Sequence, residues 1–162
     1  MSRIVAVLCG AVLAAAAAPL PTASALPLTR TPAVSAQVAD AQQQILVLVN
    51  ARRAKHGCAA LTASAQLNGL AESYSTEMGT EDFFSHTDPS GRTPWDRARA
   101  LGISDLGGEN IAEGQPTPRA VMSAWMSSSD HRANILDCRY HSLGVGVYYA
   151  EGGPWWTQEF GF

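Results

Sequence analysis

Three short polar stretches in the second half of the chain set proton-binding groups beside apolar residues: Phe83-Phe84-Ser85-His86, Gly107-Gly108-Glu109-Asn110-Ile111-Ala112 and Asp130-His131-Arg132-Ala133-Asn134-Ile135-Leu136. The chain has four histidines, and two of them lie in these stretches. Two neutral imidazoles and a carboxylate are a usual ligand set for zinc, with a fourth position left for water. The same trio without metal makes a hydrogen-bonding site in which the carboxylate orients one imidazole. His86, Glu109 and His131 are therefore the candidate site. Each also has a bland reading: a loop histidine satisfied by a carbonyl, a carboxylate paired locally beside a glycine turn, and an exposed histidine at a helix start. The three lie 22 or more positions apart, so no short spacing forces them together. The HExxH, P-loop and GxSxG patterns are absent.

The elements that must bring them together are legible from periodicity and punctuation. Val38, Ala41, Ile45, Leu48 and Val49 recur at helical spacing, with Asp40 near the start and Gly57 just past the end. A second helix is expected over about 64–78, stopped by Gly79. The segment from Thr80 to Arg92 reads as a loop and holds His86. Thr93-Pro94 and Thr117-Pro118 each place a cap before a proline at the first helical position, starting helices that end near Gly102 and run past Trp125. His131 falls in the first turn of a short helix reaching Leu136. After Cys138 the period changes to alternation: Leu143, Val145 and Val147 face one way, and Glu151-Gly152-Gly153 supplies a turn before a strand over 155–162. That strand is expected to close the sheet. Of the adjacent Trp155 and Trp156, one should face the core and one point outward. Helices first and a hairpin last argue an α+β layered domain.

The ends and the composition bound the function. Arg3, the apolar run from Ile4 to Ala18 and Ala23-Ser24-Ala25 read as a signal peptide over residues 1–25, implying export. The run is shorter than the ~20 residues a membrane span needs, and Cys9 within it would be lost on cleavage. Residues 26–38, with Pro27 and Pro32, read as a flexible leader, and 39–162 as one domain. The formal net charge is −3 and Lys55 is the single lysine. Without a basic run, nucleic acid is not an expected partner, nor is an anionic membrane surface. An isolated cysteine pair in an exported domain, here Cys58 and Cys138, is usually a disulfide, with two free thiols the alternative. Closing that loop of about 80 residues would stabilise the fold by about 4–5 kcal/mol on the chain-entropy model.

Gly108-Glu109-Asn110-Ile111-Ala112, the Asp130–Leu136 segment, Gly144-Val145-Gly146-Val147 and Trp156-Thr157-Gln158-Glu159-Phe160-Gly161 together resemble the CAP (SCP-like) superfamily, closest to its bacterial exported branch. Asn50-x-x-Arg53, Phe84-Ser85-His86 and Gly91-Arg92-Thr93-Pro94-Trp95-Asp96-Arg97 extend the likeness from about Gln42 to Phe162. The resemblance implies an α–β–α sandwich and a cleft floored by two histidines and acidic residues. By position, His86 and His131 match the family histidines and Glu109 the acid of the Gly-Glu-Asn motif, with Asn110, Arg132 and Asn134 as supporting residues. In animal and plant branches a second glutamate follows the helix tryptophan by three residues. Here Trp125 is followed at that place by Ser128, so that acid is missing. Some members bind zinc or other divalent ions at the cleft, and others hold sterol or fatty acid on separate surfaces.

The expected function is a secreted, monomeric binding module with a lipid, an envelope glycan or a protein as ligand. Its cofactor would be zinc or another divalent cation, weakly held, or none. A rival is a metal-dependent hydrolase with Glu109 as general base, and a third possibility is a structural envelope protein.

Overall fold

The computed structural model describes residues 31–150 and 152–162. The expected signal peptide and residues 26–30 of the expected leader lie outside the described residues. The remainder of the leader is helical, because α1 spans Pro32–His56. Pro32 suits the first helical position, whose N–H has no intrahelical partner. The helix ends at Gly57, whose φ of 85° is a left-handed cap that glycine adopts without strain.

The order continues with β1 (Thr62–Ala63), α2 (Ala65–Thr80), α3 (Pro94–Ala100), β2 (Leu106–Glu113), α4 (Pro118–Ser127), α5 (Ser129–Ile135), β3 (Ser142–Ala150) and β4 (Gly153–Gly161). Five helices and four strands are thus present among the described residues. Helices α2, α3 and α4 begin where Ser64, Thr93 and Thr117 accept a main-chain N–H, the usual role of such caps. At α3 the Asp96 side chain completes a capping box.

The four strands form one sheet in the order β1-β3-β4-β2. β1 is parallel to β3, and the other pairs are antiparallel. The C-terminal hairpin is therefore as expected, but β4 does not close the sheet. It lies inside, and β2, read from sequence as a glycine turn leading into an apolar pair, takes the edge. Gly107 and Gly108 are strand residues: a Cβ on Gly107 would strike the Tyr140 ring, and one on Gly108 would crowd Asn134.

Helices cover both faces of the sheet. Val38, Ala41, Ile45 and Val49 of α1, with Val121, Met122 and Trp125 of α4 and Ile135 of α5, bury Val145, Val147, Trp156 and Phe160. On the opposite face α2 packs Tyr74 and Met78 against Ile111 and Trp155. Two-sided cover explains why Trp155 and Trp156 are both buried, at 4% and 0% exposure, while the exposed tryptophan is Trp95 at 49%. It also explains Gly79, which sits inside α2 rather than ending it, since a Cβ there would run into Tyr148 and Trp155.

Several ties hold α1 and the turn after it to the rest. Cys58 and Cys138 form a disulfide. Arg53 is fully buried and donates to four carbonyls, those of Ala59, Ile135, Asp137 and Tyr140. Asn50 bridges the N–H and C=O of Leu61. The Asn50-x-x-Arg53 pattern is thus structural: it satisfies backbone groups that no helix or strand ladder reaches.

Gly144 and Gly146 set the spacing of α2 on the sheet, because a Cβ on either would meet the α2 backbone at Leu67 or Ala71. Gly144→Ala is expected to cost about 3 kcal/mol, the upper end for overpacking, since helix backbone cannot yield as a side chain can. Urea unfolding measures this, and a loss under about 0.5 kcal/mol would show that α2 lifts without strain.

Candidate functional site

Glu109 lies mid-way along edge strand β2, in register with Glu159 of β4. Its side chain is almost wholly buried, 1% exposed. His86 reaches it from the 81–93 segment between α2 and α3, placing Nδ1 2.7 Å from Glu109 Oε1. A carboxylate accepts, so His86 Nδ1 carries the hydrogen, and Nε2 is the acceptor of the neutral ring. The His86 side chain is 48% exposed, so its outer edge meets solvent.

The other oxygen, Glu109 Oε2, accepts from Arg97 of α3 at 2.7 Å. Arg97 is itself buried, 5% exposed. It also donates to the carbonyls of His86 and Arg92, both at 3.0 Å, and its guanidinium carbon lies 3.3 Å from the centre of the Tyr74 ring. One arginine therefore fixes the acid, the histidine's backbone and the end of the loop. Burial, followed by the nearby carboxylates of Glu109, Glu77 and Asp88, raises the Tyr74 hydroxyl well above the ordinary phenol range, against the opposing pull of Arg97. Tyr74 remains a neutral donor, and its hydroxyl bonds the Ser85 carbonyl.

Asp88 is the second anchor of that loop. Oδ1 accepts from the N–H groups of Ser90 and Arg92 and from the Ser90 hydroxyl, and Oδ2 pairs with Arg92 Nε at 2.7 Å. Burial alone would raise its pKa, but the bonds from Ser90 and Arg92 outweigh it and hold the carboxyl at about 2.

His131 approaches from α5, on the other helical layer. Its backbone carbonyl accepts from Asn110 Nδ2, and Asn110 Nδ2 also reaches Gln158. Asn134 Nδ2 donates to the Glu109 carbonyl and to Asn110 Oδ1. Asn110 and Asn134 thus lock α5 to the strand that carries Glu109. Arg132 instead bonds the Met126 carbonyl at the α4–α5 junction, the junction where Ser128 sits as a cap residue. Burial chiefly, and then the neighbouring His86, lower the His131 pKa against the opposing effect of Asp130. The two imidazoles are therefore within electrostatic reach of each other, without a hydrogen bond between them.

Of the three residues singled out by type, the structure joins His86 and Glu109 directly and ties the His131 backbone, through Asn110, to the strand that carries Glu109. Among the described residues no group of three His, Cys, Asp or Glu side chains is placed to hold a metal ion. Both Glu109 oxygens already face donors, one of them a guanidinium that repels a cation. The residues present do not fit a His₂Glu metal centre in this arrangement.

Sequence reasoning missed two participants. Arg97 was one residue of a matching motif, and only its burial shows its task. Glu159 was read as part of a strand, yet it is fully buried on the face that carries Glu109. The signal available in advance was a carboxylate in a strand that also carries Trp155, Trp156 and Phe160.

A family model for the cysteine-rich secretory protein (CAP) family matches residues 46–160. The chain belongs to the CAP family. It is 38% identical over 151 residues to the Bacillus subtilis (strain 168) protein YkwD, covering 90% of this chain and 58% of that one. It is 33% identical over 120 residues to the Bacillus subtilis (strain 168) membrane protein YlbC, covering 74% and 34%. An extracellular SCP-domain protein from Bacillus anthracis str. Ames superposes with a TM-score of 0.74 at 32% identity, over 82% of this chain and 44% of that one. The chain thus spans about a third to three-fifths of the curated relatives it matches. The CAP sandwich in this chain brings His86 onto Glu109, with Ser128 at the α4–α5 junction.

Two expectations follow for this CAP site. Arg97→Ala should lower stability by about 3–5 kcal/mol, the cost of leaving a buried charge unpaired, and should open the 81–93 loop to proteolysis. Chemical unfolding checks it, and a loss under about 1 kcal/mol would show that Glu109 finds another partner. Asp88 sits below its unfolded value of 3.8, at about 2, so its contribution is present above the unfolded value and lost as pH falls toward the folded one. Wild-type stability should therefore fall through that window, whereas Asp88→Asn, already weaker at neutral pH, should change less there. Melting curves between about pH 2 and pH 5 measure the difference.

Proposed function

We propose that this CAP protein is a secreted binding module whose site takes a polar ligand through the outer edges of His86 and His131, without a resident metal. The observation that supports it most is the commitment of Glu109: its oxygens serve His86 and Arg97, which orients an imidazole but leaves no free carboxylate to act as a base. The half-exposed His86 ring offers Nε2 as an acceptor, and His131, kept neutral by burial, offers a second polar edge. Ser85 is adjacent to His86, but its hydroxyl bonds the Thr87 N–H and no base activates it.

Secretion is supported by the amino-terminal targeting pattern, by the Cys58–Cys138 disulfide, a bond that persists in oxidising compartments, and by the extracellular description of the Bacillus anthracis relative. Among the described residues no helix is long and apolar enough to cross a membrane. An exported protein of this kind meets envelope glycan, lipid and protein, and a hydrogen-bonding imidazole pair suits the amides and hydroxyls of the glycan best. The hydrolase reading has less support, because Glu109 would have to leave Arg97 before it could accept a proton from water.

A soluble envelope disaccharide–peptide titrated into labelled protein should shift the His86 and His131 ring resonances in NMR spectra. The response should weaken at least tenfold in His86→Ala, and rings that do not respond to saturating probe would rule out this glycan. Zinc titrated by calorimetry into wild type and into the His86→Ala/His131→Ala double variant should give the same weak response. Tenfold tighter binding by wild type would overturn the metal-free reading.

A further inference from the structure

Glu159 has no exposed surface, and neither of its carboxyl oxygens meets a hydrogen-bond donor. An ionised carboxylate left so would cost several kcal/mol. Its neighbours across the sheet are Glu109 on β2 and Gly144 on β3. Gly144 brings no side chain, and the α2 backbone covers it at Leu67. The Glu109 carboxyl lies opposite Glu159 on the same face of the sheet, and Arg97 of α3 bonds that carboxyl.

The other ionisable groups near this face are engaged elsewhere. Tyr74 bonds the Ser85 carbonyl, His86 bonds Glu109, and Glu77 pairs with Arg92. Ser75 bonds Thr157. Arg97 gives its terminal nitrogens to Glu109 and to two carbonyls, and its buried Nε bonds neither Glu159 nor any other acceptor. One arginine thus faces two buried carboxyls, and two acceptors side by side form a hydrogen bond only if one of them carries a hydrogen.

We propose that Glu159 is a second, hidden carboxyl of the site: it keeps its proton at neutral pH, donates it in a hydrogen bond to Glu109, and leaves the pair a single negative charge. Glu109 is the charged member because Arg97 and His86 both donate to it, and such donors favour the ionised form. Burial first, and then the Glu109 charge and hydrogen bond, push the Glu159 carboxyl well above its ordinary range, with Arg97 opposing. The pair belongs to the class in which two adjacent carboxyls cannot both ionise.

The charge count refines the ligand class. One negative charge on the pair is balanced by Arg97, so the floor beneath His86 has no excess negative charge to draw in a cation. A neutral or anionic hydrogen-bonding group, such as an amide, a hydroxyl or a carboxylate, fits that floor. This refinement rests on the binding reading above, whereas the protonation of Glu159 does not, and it can be measured with no ligand present.

Infrared spectroscopy of protein carrying isotope-labelled glutamate tests the protonation directly. At about pH 7, where exposed carboxyls are ionised, wild type should show the C=O stretch of one protonated carboxyl, and Glu159→Gln should lose it. Absence of that band, or its survival in the variant, overturns the proposal. Stability gives an independent reading. A carboxyl that keeps its proton when folded loses stability as pH rises, because the unfolded chain ionises from about pH 4.5 upward. Gln is neutral, similar in shape and still a donor. The melting point of Glu159→Gln should therefore exceed that of wild type by a few degrees near pH 8, with the gap closing toward about pH 4. A variant less stable than wild type at neutral pH, with the deficit vanishing in acid, would mean that Glu159 is ionised and paired, and the proposal would fail.

Discussion

Arg97 lies buried on the face of Tyr74 and divides its donors between the Glu109 carboxylate and the carbonyls of His86 and Arg92. The guanidinium is planar and carries five donors in fixed directions, so it can hold an acid, a loop and a helix in one geometry. Take it away and Glu109 becomes an uncompensated charge, the loop loses its tie to α3, and the carboxylate that aims the His86 ring loses its second anchor. The rest of the site is arranged around that constraint: the α3 capping box sets the helix that carries Arg97, and the Asp88 hub holds the far side of the loop.

A sheet covered on both faces is what allows such a group to be buried. β2 is an edge strand, yet α2 and α3 lie over one of its faces and α4 and α5 over the other. Side chains alternate along it, so Glu109 points toward α3 and His86 while Asn110 points toward α5. One strand thereby anchors two different networks, a charged one that orients His86 and an amide one that fixes the backbone of His131. Close approach of α2 needs Gly144 and Gly146, which is a packing demand and not a turn.

The place three residues after Trp125 holds Ser128 and no carboxyl. In three dimensions Glu159 lies beside Glu109 on the neighbouring strand, with no exposed surface. A carboxyl in that position cannot touch a ligand. With its proton kept, it adds no second charge beside the carboxylate that orients His86.

Much of the layout was legible in the sequence. Helical spacing in α1 and α2, the Thr-Pro starts of α3 and α4, alternation in β3 and the cysteine pair all depend on local steric preference or on compartment chemistry, which neighbouring residues carry with them. Matching motifs singled out His86, Glu109 and His131. What stayed hidden depended on residues far apart in the chain. The edge position of β2 and the inner position of β4 follow from strand pairing, and the strand role of Gly107-Gly108 follows from Tyr140 and Asn134 occupying the space of a side chain. The burial of both Trp155 and Trp156 follows from cover on two faces. The commitment of Glu109 to Arg97, and the solitude of Glu159, follow from low-dielectric surroundings built by five separate elements. By itself the sequence determined which groups could do chemistry. Only the tertiary structure decided their charge and partners, because both depend on how much water and which donors the fold leaves within reach.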